Sequence, residues 1–398
     1  MTDNTNPIQR HSVLFHGKSG EYFSIWLTNA FLTILTLGIY SAWATVRRRR
    51  YFYGNTEIAG DRFDYHARPI DLLKGRILVM VGIVVFFILS AVLPTISSLF
   101  LLALFALLPW VIIRSWRYNA LMTSYRGVRF NYHCQTGRAY WVMYLCPLLL
   151  LLAVYVPVGL MVWAVGNMAA SAGSMTMVVI GGLLALLMLV VGGAVVSGIM
   201  AAMTHDLYVN NMQYGRQGFR ATLSKKKYIK MAFISILIML PFFLFAAIKV
   251  SATMASLFYS SLNGGDDAMM QSVALQGFSS LILAYIIVLI GAMVSFAWLT
   301  VMQRNYLYQQ TRVGDKVQLK SDLKVIPYLL LLLTNTLIVI FTLGFGTPVA
   351  EVRLARYLAQ STALEGDMSL SDVHAHQDSA GTAVAEEMVQ AFDLNVGI

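Results

Sequence analysis

Eight apolar stretches, each of roughly 20 residues and free of Asp and Glu, constrain this chain more than any other feature. A helix of that length crosses the hydrocarbon core of a bilayer. The chain is 58% hydrophobic and only 12% charged, whereas a soluble domain is about one quarter charged. This pattern predicts an all-α polytopic membrane protein and excludes disordered, collagenous, disulfide-scaffold and ordinary cytosolic proteins. The stretches cover residues 22–44, 77–93, 96–113, 141–165, 175–203, 231–250, 277–302 and 325–346.

The segments between these stretches alternate in charge. Segments 46–76, 114–138, 203–230 and 303–324 hold 24 of the 29 Lys and Arg residues, and the turns between them hold none. The positive-inside rule therefore places the four basic loops in the cytoplasm. The net charge of +10 then serves topology, so the expected partners are the lipid bilayer and its anionic headgroups rather than nucleic acid. Self-association stays open, and no cofactor is expected.

The two ends of the chain are copies of one another. Residues 27–60 recur at 333–366 with a constant offset and no gap. Apolar stretches match easily by chance, but this match includes Asn29 with Asn335 and Gly38 with Gly344. The two segments are therefore a true duplication.

A weaker motif recurs after each basic helix end, where a glycine lies between short β-branched or aromatic alternations. The glycines are Gly60, Gly127, Gly215 and Gly314. We interpret them as turns of short β-hairpins on the cytoplasmic face, with an irregular glycine-capped loop as the alternative at each site. They divide a single membrane domain, residues 1–366, into five repeat-like modules. The modules run from about 13–60, 61–127, 128–215, 216–314 and 315–366.

Residues 367–398 are expected to form a mostly disordered acidic cytoplasmic tail, since they contain no Lys or Arg. Asp372, His374, His376 and Asp378 have spacing that could hold a metal, although such polar tails more often stay solvated.

Each middle module contains two spans, whereas each end module contains one stretch of about 22 residues. Six stretches are thus transmembrane helices, and the two end stretches, 22–44 and 325–346, either re-enter or span fully. Length does not decide, because about 22 helical residues rise roughly 33 Å. Re-entry would need breaks, for which Asn29, Gly38, Asn335, Gly344 and Pro348 are the candidates. Basic residues on both sides of the second stretch favour re-entry.

The N-terminal motif resembles the start of the YjgN family of bacterial inner-membrane proteins. The similarity continues through residues 121–130 and covers nearly the whole chain. It implies a multi-pass protein of the bacterial inner membrane, and it transfers no catalytic residue because the family offers no established activity. The motif comprises Phe15-His16-Gly17, Glu21-Tyr22-Phe23, Trp26, Asn29, Thr36-Leu37-Gly38-Ile39-Tyr40, Trp43-Ala44, Val46-Arg47 and Arg50-Tyr51-Phe52.

The candidate site residues are polar or glycine positions at membrane depth in the duplicated segments. They form hydrogen bonds between helices, each worth about 0.6 kcal/mol, or they line a solute path between the repeats. The second role predicts a passive transporter or channel for an unknown solute. The alternative is a non-enzymatic membrane scaffold or lipid-interacting protein. The residues are Asn29, Thr33, Thr36, Gly38, Thr334, Asn335, Thr342 and Gly344.

No enzyme activity is expected, because no nucleophile–base, metal-ligand or phosphate-cradle motif is recognisable in the sequence.

Overall fold

The computed structural model describes residues 9–262, 267–314 and 316–367, and within these ranges it contains eleven α-helices and ten short strands. Nearly all of the predicted acidic tail, with its four candidate metal ligands, lies outside the described residues. The helices are α1 (Ser19–Leu35), α2 (Ser41–Gly54), α3 (Pro69–Val92), α4 (Pro94–Met122), α5 (Thr136–Tyr140), α6 (Cys146–Ala172), α7 (Met175–Val209), α8 (Lys225–Leu262), α9 (Asp267–Gln310), α10 (Val325–Phe341) and α11 (Thr347–Gln360).

The strands form one closed antiparallel barrel, in which each strand pairs with its neighbours in chain order and the first pairs with the last. Pairing of Val13 with Ile58 joins β1 to β2, and pairing of Ser12 with Ala363 joins β1 to β10. The strands are β1 (Arg10–Phe15), β2 (Thr56–Ile58), β3 (Asp61–Tyr65), β4 (Thr123–Tyr125), β5 (Val128–Tyr132), β6 (Met212–Tyr214), β7 (Gln217–Ala221), β8 (Thr311–Val313), β9 (Val317–Ser321) and β10 (Thr362–Gly366).

The order of elements repeats around the barrel: a strand, a helical hairpin, then a strand that pairs with the first. Five such units occur in the described chain, and they begin at β1, β3, β5, β7 and β9. Tight turns link one unit to the next. All helical hairpins therefore stand on one end of the barrel, and the tight turns lie at the other end.

The barrel corrects the prediction of an all-α protein with separate hairpins. The turns around Gly60, Gly127 and Gly215 do form hairpins, with positive φ at each glycine. In addition, the strand that precedes a helical hairpin pairs with the strand that follows it, as β3 does with β4 through Phe63 and Tyr125. Closure leaves no open sheet edge, which would otherwise present unpaired N–H and C=O groups to other chains.

The prediction of six transmembrane helices agrees with the structure. In the described residues, six helices are long and apolar enough to cross a membrane. In the most apolar part of each helix, only 6% to 22% of the residues are buried inside the protein. Their apolar side chains therefore face outward, as contact with lipid requires. The helices extend past the predicted spans towards the barrel, and every extension except that of α7 carries Lys or Arg. The six membrane-length helices are Pro69–Val92, Pro94–Met122, Thr136–Ala172, Met175–Val209, Lys225–Ser260 and Gln271–Gln310.

The first and last units contain short helical hairpins that leave the barrel and return to it. The chain reverses at residues 36–40 and again at 342–346. Leu37 and Gly38 have φ values of 51° and 92°, and Leu343 and Gly344 have 51° and 93°. Thus Gly38 and Gly344 lie at the breaks. Asn29 and Asn335 do not, because both lie inside continuous helices, and Pro348 lies in the first turn of α11, where its missing N–H costs nothing.

Two tyrosines of the third unit form hydrogen bonds to backbone carbonyls of α4 next to a proline. Pro109 has no N–H to donate to the carbonyl of Phe105. Tyr144, in the π-helical segment Trp141–Leu145, donates its hydroxyl to that carbonyl, and Tyr140 donates to the carbonyl of Ala106 at 2.8 Å. The second and third units are therefore tied together at membrane depth.

Candidate functional site

Thr36 and Thr342 hold the two reversals of the end units. The Thr36 hydroxyl donates to the carbonyl of Leu32 at 2.7 Å and accepts from the backbone N–H of Tyr40 at 2.9 Å. Thr342 does the same with Ile338 and Gly346, both at 2.6 Å. The N–H of Gly38 donates to the carbonyl of Thr33 at 2.8 Å. Satisfying these backbone groups internally lets a turn lie in an apolar environment.

Asn29 and Asn335 each join the two helices of their own hairpin. Asn29 is 7% exposed and Asn335 is 8% exposed. An Arg47 N–H donates to the Asn29 side-chain oxygen at 3.4 Å, and Arg353 donates to that of Asn335 at 2.9 Å. Asn335 also donates to the carbonyl of Ala350 at 3.1 Å. These contacts support the interhelical role among the two roles that the sequence left open.

Thr334 belongs to the same arrangement, because its hydroxyl accepts from the second terminal nitrogen of Arg353 at 3.0 Å. One guanidinium therefore bonds two adjacent side chains of α10. The sequence placed these residues together, but it contained no sign that an arginine would meet them.

Replacing Asn335 by alanine is expected to lower the free energy of unfolding by about 1–3 kcal/mol, because Arg353 loses an acceptor and the Ala350 carbonyl loses a donor. Asn29→Ala should cost less, since its bond to Arg47 is longer. The thermal unfolding midpoint in detergent measures both. Thr28→Ala, at an exposed position of α1, is the control and should change stability by less than about 0.5 kcal/mol. Equal midpoints for Asn335→Ala and Thr28→Ala would contradict the structural role.

The first and last units contact one another directly, in part through their duplicated segments. The Tyr22 hydroxyl donates to Glu351 at 2.7 Å, and Arg48 contacts the same carboxylate at 3.2 Å. Higher up, the rings of Trp26 and Phe345 lie edge to face, 6.1 Å apart. Because Glu351 replaces the threonine found in the first copy, this contact is specific to the C-terminal copy.

The interior of the barrel is filled by large apolar side chains, one or two from each strand. Tyr125 and Tyr214 each bond to the strand two positions away, because their hydroxyls donate to the carbonyls of Ile58 at 2.7 Å and Tyr125 at 2.8 Å. Burial raises the pKa of Tyr214 to about 12 and also raises the pKa of Tyr125, so both stay neutral donors. A barrel cavity of 250 Å³ remains among these side chains.

A second cavity, which we call the axial chamber, lies where the helix ends meet the barrel. Its volume is 370 Å³. Helix ends contribute Tyr53, Asn119, Tyr208 and Tyr308, and the first residues of strands contribute threonines such as Thr123. The chamber and the barrel cavity have five lining residues in common, which we call the shared layer: Phe63, Phe130, Phe219, Tyr308 and Leu319.

The threonines at the start of four strands bond back to the helices before them. Thr56, Thr123, Thr311 and Thr362 each donate to the carbonyl four residues earlier, at 2.7–2.9 Å. Their hydroxyl protons are thus already engaged in hydrogen bonds. The first residues of the strands therefore present a mostly apolar surface to the chamber. The chamber has the character of a binding site for an apolar group.

None of the eight sequence-predicted residues lines the axial chamber. The sequence analysis did not identify the residues that line the chamber as a site, although three of them follow the repeated turn glycines. Phe63 and Phe130 come three residues after Gly60 and Gly127, and Phe219 comes four after Gly215. That recurrence was the available signal.

No group of three or more His, Cys, Asp or Glu side chains suited to a metal lies within the residues that the structure describes. The two cysteines, Cys134 and Cys146, are free thiols.

Comparisons with known proteins agree with the family resemblance. The inner membrane protein YjgN of Escherichia coli O157:H7 is 28% identical over 372 residues, which are 92% of this chain and 91% of that protein. The inner membrane protein YjgN of Salmonella typhimurium is 30% identical over 363 residues, 90% of this chain and 89% of that protein. No solved structure matches the chain.

Together with the six membrane-length helices, these relatives confirm the prediction of a multi-pass protein of the bacterial inner membrane. Residues 10–391 match the family DUF898, described as a bacterial protein of unknown function. Since that match covers nearly the whole sequence, the chain belongs to the DUF898 family.

Proposed function

We propose that this chain is a non-enzymatic, lipid-interacting membrane protein whose axial chamber takes up an apolar part of a membrane molecule, such as an acyl chain. The observation that carries the proposal is the chamber itself. It is lined by helix ends and strands from several units, most of its lining side chains are apolar or aromatic, and it lies where the membrane-spanning helices reach the barrel. Concave apolar sites with a few polar groups are typical of ligand binding.

The outer face of the barrel supports the same function. Arg62, Arg129, Arg220 and Arg312 are exposed on its strands. Each basic side chain near an anionic membrane surface contributes about 1 kcal/mol of attraction. The barrel would therefore lie against the cytoplasmic headgroups, with the chamber between the barrel and the membrane-spanning segments. This function does not require self-association.

Passage of a solute along the barrel axis is the second candidate. One observation favours it: the axial chamber and the barrel cavity meet at the shared layer, so the two spaces lie end to end. Apolar constrictions can gate a pore by excluding water. In this version the aromatic side chains of the shared layer close the path. The polar end segments, by contrast, are engaged in bonds to arginines, so they support passage less than the sequence suggested.

The test uses the full-length protein in lipid vesicles with palmitate that carries a photoreactive diazirine on its chain. After irradiation, we expect labelled peptides that contain chamber residues, such as Ala120 and Met212. Ala120→Trp fills the chamber and should remove these labels. Ala153→Trp, on an exposed lipid-facing position of α6, is the matched control and should leave them.

Labels confined to lipid-facing peptides, or equally strong in both tryptophan variants, would overturn the chamber proposal. The same vesicles separate the two candidates when they are loaded with a small fluorescent solute. Passage requires release from vesicles containing the unaltered protein and its loss in Ala120→Trp. Lipid binding alone predicts no release from either.

A further inference from the structure

A basic cleft lies apart from the axial chamber, at the junction of the second and third units. It has a volume of 570 Å³. One wall is the end of α4, with Trp110, Arg114 and Arg117, and the other is the segment from β5 into α5, with His133 and Arg138.

The positive charge in this cleft is only partly balanced. Arg138 pairs with Asp206 at 2.5 Å. Arg114 lies with its guanidinium 5.6 Å from the centre of the Trp110 ring, and neither Arg114 nor Arg117 has an acidic partner among the described residues. The Arg117 Nε is buried without a hydrogen-bond partner there. A buried donor left unpaired is costly, so an anion in the cleft would be stabilised.

The position of the cleft along α4 matches the level of the lipid headgroups. Arg114 is the first residue after the apolar stretch 96–113, and Trp110 lies on the last turn of that stretch. Tryptophan is enriched at membrane–water interfaces. Trp110 also lines a purely membrane-facing cleft of 660 Å³ between α3 and α4, together with Leu101 and Phe86. A polar group held by the arginines would thus have an apolar surface beside it.

We propose that this basic cleft binds the phosphate group of an anionic phospholipid, with Arg114 and Arg117 as its donors. Guanidinium groups bond two phosphate oxygens at once, which gives both charge and geometry. The proposal deepens the lipid-interacting function by naming a second site and its ligand chemistry. Free phosphate offers the same oxygens, and the adjacent apolar cleft favours the lipid.

The experiment measures retention of phosphatidylglycerol by the full-length protein in detergent, by native mass spectrometry. We expect one tightly retained phosphatidylglycerol and weaker retention of phosphatidylcholine. The double variant Arg114→Gln, Arg117→Gln should weaken phosphatidylglycerol retention at least tenfold. Arg10→Gln with Arg216→Gln removes the same charge from exposed arginines on β1 and in the turn before β7, and it should leave the retention unchanged.

Two further measurements keep the result independent of folding. Arg117→Lys keeps the charge and loses the two-pronged geometry, so it should fall between the unaltered protein and the double variant. In a Cys146→Ser background, phosphatidylglycerol should slow maleimide labelling of Cys134, which lines the cleft. Burial raises the pKa of the Cys134 thiol, so labelling is followed at alkaline pH.

Equal losses in the two double variants would overturn the proposal in favour of unspecific surface attraction, as would equal retention of the two lipids. Displacement of phosphatidylglycerol by millimolar inorganic phosphate would assign the site to free phosphate instead. Failure here is distinguishable from failure of the axial chamber. Ala120→Trp should retain phosphatidylglycerol, and the Arg114, Arg117 double variant should retain the chamber labels.

Discussion

Cysteines placed at Ser12 and Ala363 are expected to form an intramolecular disulfide almost completely on mild oxidation. The two residues are register partners in β1 and β10. Because Gly366 donates its N–H to the carbonyl of Gln9, alternate pairs along this ladder are hydrogen-bonded, and Ser12 with Ala363 is a non-hydrogen-bonded pair. Such pairs have Cα atoms about 4.5 Å apart, which lies within disulfide range. Gel mobility of the oxidised protein, in a background without Cys134 and Cys146, measures the cross-link.

The matched control pairs His11→Cys with Ala363→Cys. His11 is one position from Ser12, and its side chain points to the opposite face of the strand. It should cross-link weakly. Comparable cross-linking in the two pairs, or none in the first, would show that the first and last strands do not close the barrel in this register.

Tyr132→Ala is expected to lower the free energy of unfolding by about 3–5 kcal/mol, which is the largest effect of any single substitution considered. Tyr132 is fully buried, packs edge to face on Trp116 and donates its hydroxyl to the carbonyl of Leu207 at 3.0 Å. It thus joins β5 to the ends of α4 and α7. Tyr132→Phe keeps the packing and loses the hydrogen bond, so it should cost only about 1 kcal/mol.

The thermal unfolding midpoint in detergent ranks these variants. Tyr155→Ala is the control, because Tyr155 is 59% exposed on the lipid-facing side of α6. It should stay close to the unaltered protein. If Tyr132→Ala unfolded at the same temperature as Tyr155→Ala, the junction of barrel and helices would not be the stabilising core that the structure indicates.

The apolar stretches predicted the six long helices well, because a helix in lipid must satisfy its own backbone and must be apolar along its whole length. Both properties are local and can be seen in the sequence. The two reversals at Gly38 and Gly344 could be predicted from the sequence for a similar reason, since their positive φ values suit glycine. The position of Asn29 and Asn335 inside continuous helices was harder to predict from the sequence, because their partners Arg47 and Arg353 lie on the other helix of each hairpin.

The sequence was sufficient to predict the membrane class, the long helices and the duplicated ends, and it favoured the short hairpins, since these features depend on hydrophobicity, residue identity or turn preference along short stretches of chain. The joining of the hairpins into one closed barrel became visible in the tertiary structure alone, because a strand of three to six residues carries too little pattern to specify a lateral partner across a helical hairpin. The same holds for the axial chamber and the basic cleft. Phe63, Phe130 and Phe219 come from three units, and Arg117 and Arg138 from two. These side chains meet because ring closure brings distant units together, and no local preference encodes that contact.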